Sequence, residues 1–166
     1  MLQFASRTLF FLLFVTVYQI SAQEHTSLLI SYAQFDVFKQ KHTSPELRFE
    51  VRQDLTSSYV HPLVGVMGNF HGGRFYYFGV YTDLKVVDGL YVTPSFAPGF
   101  YSRGKSKNLH FVLEFRSQLD ISFNFTDLYR VGVNINHISN ASLSRLNPGV
   151  ESIALYILIS FNSIFN

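Results

Sequence analysis

No cysteine occurs among the 166 residues, so neither a disulfide framework nor a cysteine metal cluster holds this chain together. Charge is sparse as well: Asp, Glu, Lys and Arg make up 14% of the chain, and the net charge of +2 is spread evenly, which argues against a nucleic-acid partner. His61, His71 and His110 stand apart without metal-ligand spacing, and neither a metal nor an organic cofactor is expected. Helical periodicity is missing, as are long linkers, low-complexity tracts and repeats of about 20 to 50 residues. Beyond the N-terminal segment, every apolar stretch is broken within about ten positions, short of the ~18 that a spanning helix takes.

What is present begins with "MLQFASRTLFFLLFVTVYQISAQ". Arg7 precedes an apolar run from Leu9 to Val17, and the small residues Ser21 and Ala22 follow, the layout of a secretory signal peptide. The run is shorter than the ~20 residues of a membrane anchor. The expected organisation is a signal peptide over residues 1–22 and one domain over 23–166.

Period-two alternation dominates that domain. In "PELRFEVRQD", Leu47, Phe49 and Val51 alternate with Arg48, Glu50, Arg52 and Asp54, giving a strand with two unlike faces. In "LHFVLEFRSQLDISF", Phe111, Leu113, Phe115, Leu119, Ile121 and Phe123 oppose His110, Glu114, Arg116, Gln118 and Asp120. "YRVGVNIN" and "SIALYILISF" repeat the pattern. Four segments rich in aromatic and β-branched residues, roughly 28–38, 60–70, 74–81 and 90–101, bring the total to eight strands. Turn-forming stretches such as "KHTSP", "NFHGG", "TDLKVVDG" and "NFTD" separate them.

An even number of strands of about ten residues matches a small transmembrane barrel, so the expected fold is all-β, an eight-stranded antiparallel up-and-down barrel in the outer membrane. A soluble exported lipid-binding barrel would turn its apolar face inward. The export signal, and a Phe- and Leu-rich face too large for an eight-strand lumen, favour lipid outside and charge inside. Glu114 with Arg116, and Arg48 with Glu50 and Arg52, then read as an interior ion-pair network. Pro94 and Pro98 in "VTPSFAPGF" deny the ladder two donors, so a bulge or a rim is expected there.

Strand parity also locates chemistry. Continuing the lipid-facing set Tyr129, Val131, Val133, Ile135 reaches His137 and Ser139; running Phe161, Ile159, Ile157, Leu155, Ile153 backwards reaches Glu151. With the N-terminus in the periplasm, the loop from Asn140 to Val150 is extracellular and all three residues lie at the outer-leaflet rim, where a charge costs only ~0 to 1 kcal/mol. A histidine able to take a serine proton, with a carboxylate to fix its tautomer, is acyl-transfer chemistry. Asn140, Asn147 and loop N–H groups are the available oxyanion donors. The competing reading is plain: a rim histidine is commonly interfacial, Ser and Asn are common in any loop, and the barrel is then a non-catalytic structural or adhesive one. The sequons at Asn124 and Asn140 read as chance in such a barrel.

"HISNASLSRLNPGVES" resembles the signature of the lipid A 3-O-deacylase (PagL) family, outer-membrane enzymes of Gram-negative cells that remove an ester-linked hydroxyacyl chain from lipid A. The likeness covers mainly the last third of the chain, from "LEFR" onward. It implies His137 as base, Ser139 as nucleophile and Glu151 as orienting acid, with Asn140, Ser142 and Asn147 around the oxyanion. The implied substrate is lipid A, or lipopolysaccharide, among outer-membrane lipids. A homodimer is left open by the sequence. Family members commonly carry glycine where Ser142 stands, so a Cβ here narrows the approach to any oxyanion donor at that position.

Overall fold

The computed structural model describes residues 25–161. The expected signal peptide and the "NSIFN" tail after Phe161 lie outside the described residues. Nine strands follow in order: β1 (His25–Phe35), β2 (Ser44–Asp54), β3 (His61–Asn69), β4 (Arg74–Tyr81), β5 (Leu84–Val87), β6 (Leu90–Ser102), β7 (Leu113–Asn124), β8 (Tyr129–Ser139) and β9 (Val150–Ser160). Every neighbouring pair is antiparallel, β1 pairs β9, and β4 pairs β6, so eight of the nine close into a barrel. The remaining one, β5, is a short hairpin arm on the start of β6, formed by residues that the sequence marks only as a turn. An 11-residue strand such as β2 is ~36 Å long, which a ~45° tilt reduces to the ~25 Å of an apolar membrane band.

Alternation decides inside from outside. On β2, Leu47 and Phe49 are 41% and 46% exposed while Arg48 and Glu50 are fully buried, the reverse of a soluble barrel. Phe78 on β4 and Leu155 on β9 extend the outer apolar belt. The lumen is filled by charge and by tyrosine. Arg52 bridges Glu50 at 2.7 Å and Asp120 at 2.6 Å, Tyr77 donates its hydroxyl to Glu50 at 2.9 Å, and Arg116 lies over the Tyr77 ring at 4.1 Å. Arg116 reaches Glu50 as an ion pair at 2.7 Å without hydrogen-bond alignment. The expected partnerships therefore shift: Arg116 pairs with Glu50 across the lumen rather than with Glu114, Arg48 pairs with Glu46 at 2.7 Å, and neither Glu114 carboxylate oxygen has a partner among the described residues.

The prolines interrupt the ladder without a bulge. Pairing of β4 with β6 keeps one register from Tyr77↔Gly99 to Val80↔Phe96, and the positions omitted between them include Pro98. Pro94 lies beyond the end of β4, where its carbonyl accepts the Thr82 N–H at 3.1 Å. At the other end of β6 the chain leaves the ladder before β7: His110, with φ of 67°, and Phe111 belong to the preceding loop and not to the strand expected there.

Longer connections gather at one end, which the barrel rule makes the outer one. Residues 36–43 and 103–112 are bound there by a buried ion pair, Lys107 Nζ to Asp36 Oδ1 at 2.5 Å, and Asp36 Oδ2 also accepts the N–H groups of Lys41 at 3.0 Å and His42 at 2.9 Å. Burial pushes the Asp36 carboxyl up, but the Lys107 ammonium and the two N–H groups outweigh it and hold the pKa below the ordinary 3.8. A depressed folded pKa means that the clamp's contribution is complete above pH ~4 and is lost as the pH falls through the folded value. Outer-loop amide exchange is therefore expected to rise only below the ordinary carboxylate range. In Asp36→Asn that acid-induced step should vanish, because the loops are already loose at neutral pH.

Candidate active site at the outer rim

The β8–β9 register sets His137 directly opposite Glu151, flanked by the pairs Asn136↔Ser152 and Ile138↔Val150. Ile138 and Val150 are fully buried, so their neighbours on the opposite parity must face out. There the His137 Nδ1 meets Glu151 Oε1 at 2.9 Å, with the imidazole 48% and the carboxylate 17% exposed. A carboxylate only accepts, so Nδ1 carries a proton, and in the neutral imidazole Nε2 then keeps its lone pair, the tautomer that a general base needs. Ser139, the last residue of β8, lies two positions on along the same face and opposite Phe115 of β7. Among the described residues none is hydrogen-bonded to its hydroxyl: the histidine–glutamate link is made, and the serine–histidine link is not. In unliganded sites such contacts are often long and tighten when substrate binds.

Loop 140–149 is built around Asn140. This fully buried side chain donates to the carbonyls of Leu109 at 2.8 Å and Leu146 at 2.9 Å, while its N–H donates to Asn147 Oδ1 at 3.1 Å. Both amide hydrogens are thus committed to shaping the loop. Asn147 is exposed and uses only its oxygen here, and the Ser142 N–H makes no backbone hydrogen bond among the described residues. Those two groups keep uncommitted donors; Asn140 does not.

Ala141 and Ser142 have φ of 49° and 64°, the left-handed region that glycine occupies without penalty. An L-residue there costs ~1–2 kcal/mol, and the extra freedom of glycine in the unfolded chain returns part of that, so Ser142→Gly is expected to stabilise by about 0.5–1 kcal/mol. A higher urea midpoint and slower exchange in loop 140–149 would show it.

Support for the site comes from across the seam of the barrel. The loop after β1 donates its Val37 N–H to the Glu151 carbonyl at 3.1 Å and the Lys39 ammonium to the Pro148 carbonyl. Neither residue carries a local sequence signal, since each acts only through partners more than a hundred positions away. No group of three His, Asp or Glu side chains is placed to hold a metal ion among the described residues.

A closed barrel with a lipid-facing apolar belt, a charged lumen and a hydrogen-bonded histidine–carboxylate pair on its outer wall defines a small outer-membrane protein with a polar cluster at its rim. Residues 26–160 match the family described as lipid A 3-O-deacylase (PagL), and the chain belongs to that family, which places it in the outer membrane of a Gram-negative cell. Among solved structures it is similar to the outer membrane enzyme PagL, with a TM-score of 0.64 and 20% identity over 79% of this chain and 98% of that one. It is also similar to the N-terminal β-barrel domain of Pseudomonas aeruginosa OprF (TM-score 0.58, 10% identity, 84% of this chain and all of the other). Neisserial surface protein A gives a TM-score of 0.56 at 8% identity, covering 83% and 97%. At such identities these likenesses show the fold alone. Comparison with curated protein sequences finds no match.

Proposed function

We propose that this barrel hydrolyses the ester that joins a 3-hydroxyacyl chain to the 3-O position of lipid A, by a Ser–His–Glu mechanism at the outer leaflet. The observation that carries the reading is the His137–Glu151 hydrogen bond on the lipid-facing wall, which leaves Nε2 free on the face shared with Ser139. Ser139 Oγ attacks the ester carbonyl as its proton passes to His137 Nε2, and Glu151 stabilises the imidazolium that forms. The tetrahedral oxyanion is met by loop donors, with Asn147 and the Ser142 N–H the uncommitted ones and Asn140 holding the loop that presents them. The imidazolium then gives its proton to the departing sugar hydroxyl, leaving Ser139 acylated. Water attacks the acyl-enzyme, His137 takes its proton and returns it to Ser139, and a free hydroxy fatty acid is released. A rim position lets both the acyl chain and the glycolipid remain in the bilayer throughout.

The test is to incubate detergent-refolded protein with purified lipid A and weigh the lipid by mass spectrometry. Loss of one hydroxyacyl chain supports the reading. Unchanged lipid from folded protein would mean a non-catalytic barrel.

A further inference from the structure

Gly149 closes the outer loop immediately before β9, with φ of 56°. Its Cα faces the His137 imidazole closely enough that a side chain would meet the ring. A Cβ at this position would sit 2.6 Å from the ring's Cε1, 3.3 Å from Nε2 and 3.6 Å from Nδ1, against an optimum of ~3.5–4.0 Å for carbon contacts. Both partners are tethered. The ring is tied through Nδ1 to Glu151 at 2.9 Å. The backbone is tied on both sides of Gly149: the Pro148 carbonyl accepts the Lys39 ammonium, and the Glu151 carbonyl accepts the Val37 N–H at 3.1 Å.

We propose that Gly149 is a positioning residue for the base: the absent side chain lets the clamped loop backbone serve as a wall for the imidazole and fixes the direction of Nε2. This rests on the reading of His137 as the general base. The alternative role for Gly149 is purely conformational, since its φ alone favours glycine. The two differ in what they need from His137. Left-handed strain in Gly149→Ala is present whatever stands at 137, whereas the clash requires the ring.

The experiment is a double-mutant cycle, Gly149→Ala in the wild-type and in the His137→Ala backgrounds, read by urea unfolding in lipid vesicles together with turnover of lipid A and NMR titration of His137. With the ring present, Gly149→Ala is expected to lower kcat ~100-fold with little change in KM, because a displacement near 1 Å at a reacting group costs about that much. It should also move the His137 titration midpoint and lower the unfolding midpoint, and the last of these losses should shrink clearly in His137→Ala. A Gly149→Ala protein that folds only when His137 is absent is the extreme form of the same coupling. Equal losses of stability in both backgrounds, failure to fold in both, or unchanged kcat and titration overturn the proposal. If the wild type itself leaves lipid A intact, the assignment of His137 as base fails and the proposal falls with it, whereas equal stability losses beside an active wild type overturn the positioning role alone.

Discussion

Ser139→Ala and His137→Ala are each expected to lower lipid A deacylation by at least ~10³-fold while the barrel folds and inserts as before. On the proposed mechanism activity falls so far because the Ser139 oxygen forms the new bond and His137 takes its proton. Stability barely moves because neither side chain is inside. The Ser139 hydroxyl is not hydrogen-bonded, and removal of the half-exposed imidazole forfeits one hydrogen bond to a carboxylate that water can partly reach, about 1 kcal/mol. If the two act as nucleophile and base, they act as a unit, and the double variant should be no worse than either single one. Glu151→Gln keeps the shape of the pair but can present the wrong tautomer to Ser139, with an expected loss of ~10²–10⁴-fold. Fatty-acid release measured beside the heat-shifted gel mobility of folded barrel separates lost chemistry from lost folding. Full activity in well-folded Ser139→Ala would end the serine mechanism.

What could be read in the sequence is what depends on parity. A strand turns successive side chains to opposite faces wherever it runs, so Leu47–Asp54 and Tyr129–Ile135 announce an inner and an outer wall before any pairing is known, and the same count carries the outer wall on to His137 and Ser139. The placing of His137 opposite Glu151 follows from two strands joined by one loop, a local matter. Contacts that cross the barrel are another class. Arg116 and Glu114 share a face two positions apart, yet the guanidinium reaches Glu50 from the other side of the lumen, and only the closed circle of strands determines who stands there. The Lys107–Asp36 clamp and the Lys39 and Val37 supports join loops far apart in the chain for the same reason. Amide direction is likewise invisible in a sequence. Asn140 qualifies by type as an oxyanion donor, but both of its amide hydrogens go to the Leu109 and Leu146 carbonyls, so it braces the loop.

Glu50→Gln is expected to destabilise the barrel by about 3–5 kcal/mol, the largest effect of any single lumenal substitution considered. Glu50 is the shared acceptor of the interior: Arg52 Nε at 2.7 Å, the Tyr77 hydroxyl at 2.9 Å and the Arg116 guanidinium at 2.7 Å all converge on its two oxygens. The amide removes the negative charge and leaves Arg116 facing an uncharged group while Arg52 keeps only Asp120. Burial makes this expensive, because neither guanidinium can turn to water from inside a filled eight-stranded lumen. Glu114→Gln supplies the contrast on the same inner wall. Its carboxylate is as deeply buried but has no hydrogen-bond partner among the described residues, so the amide leaves no cation exposed and the change should be neutral or stabilising. Urea unfolding of both variants in lipid vesicles decides between two views of the lumen. If position mattered only through burial of a carboxylate, the two substitutions would shift the midpoint alike; if the ion-pair network holds the strands in register, only the loss of Glu50 lowers it.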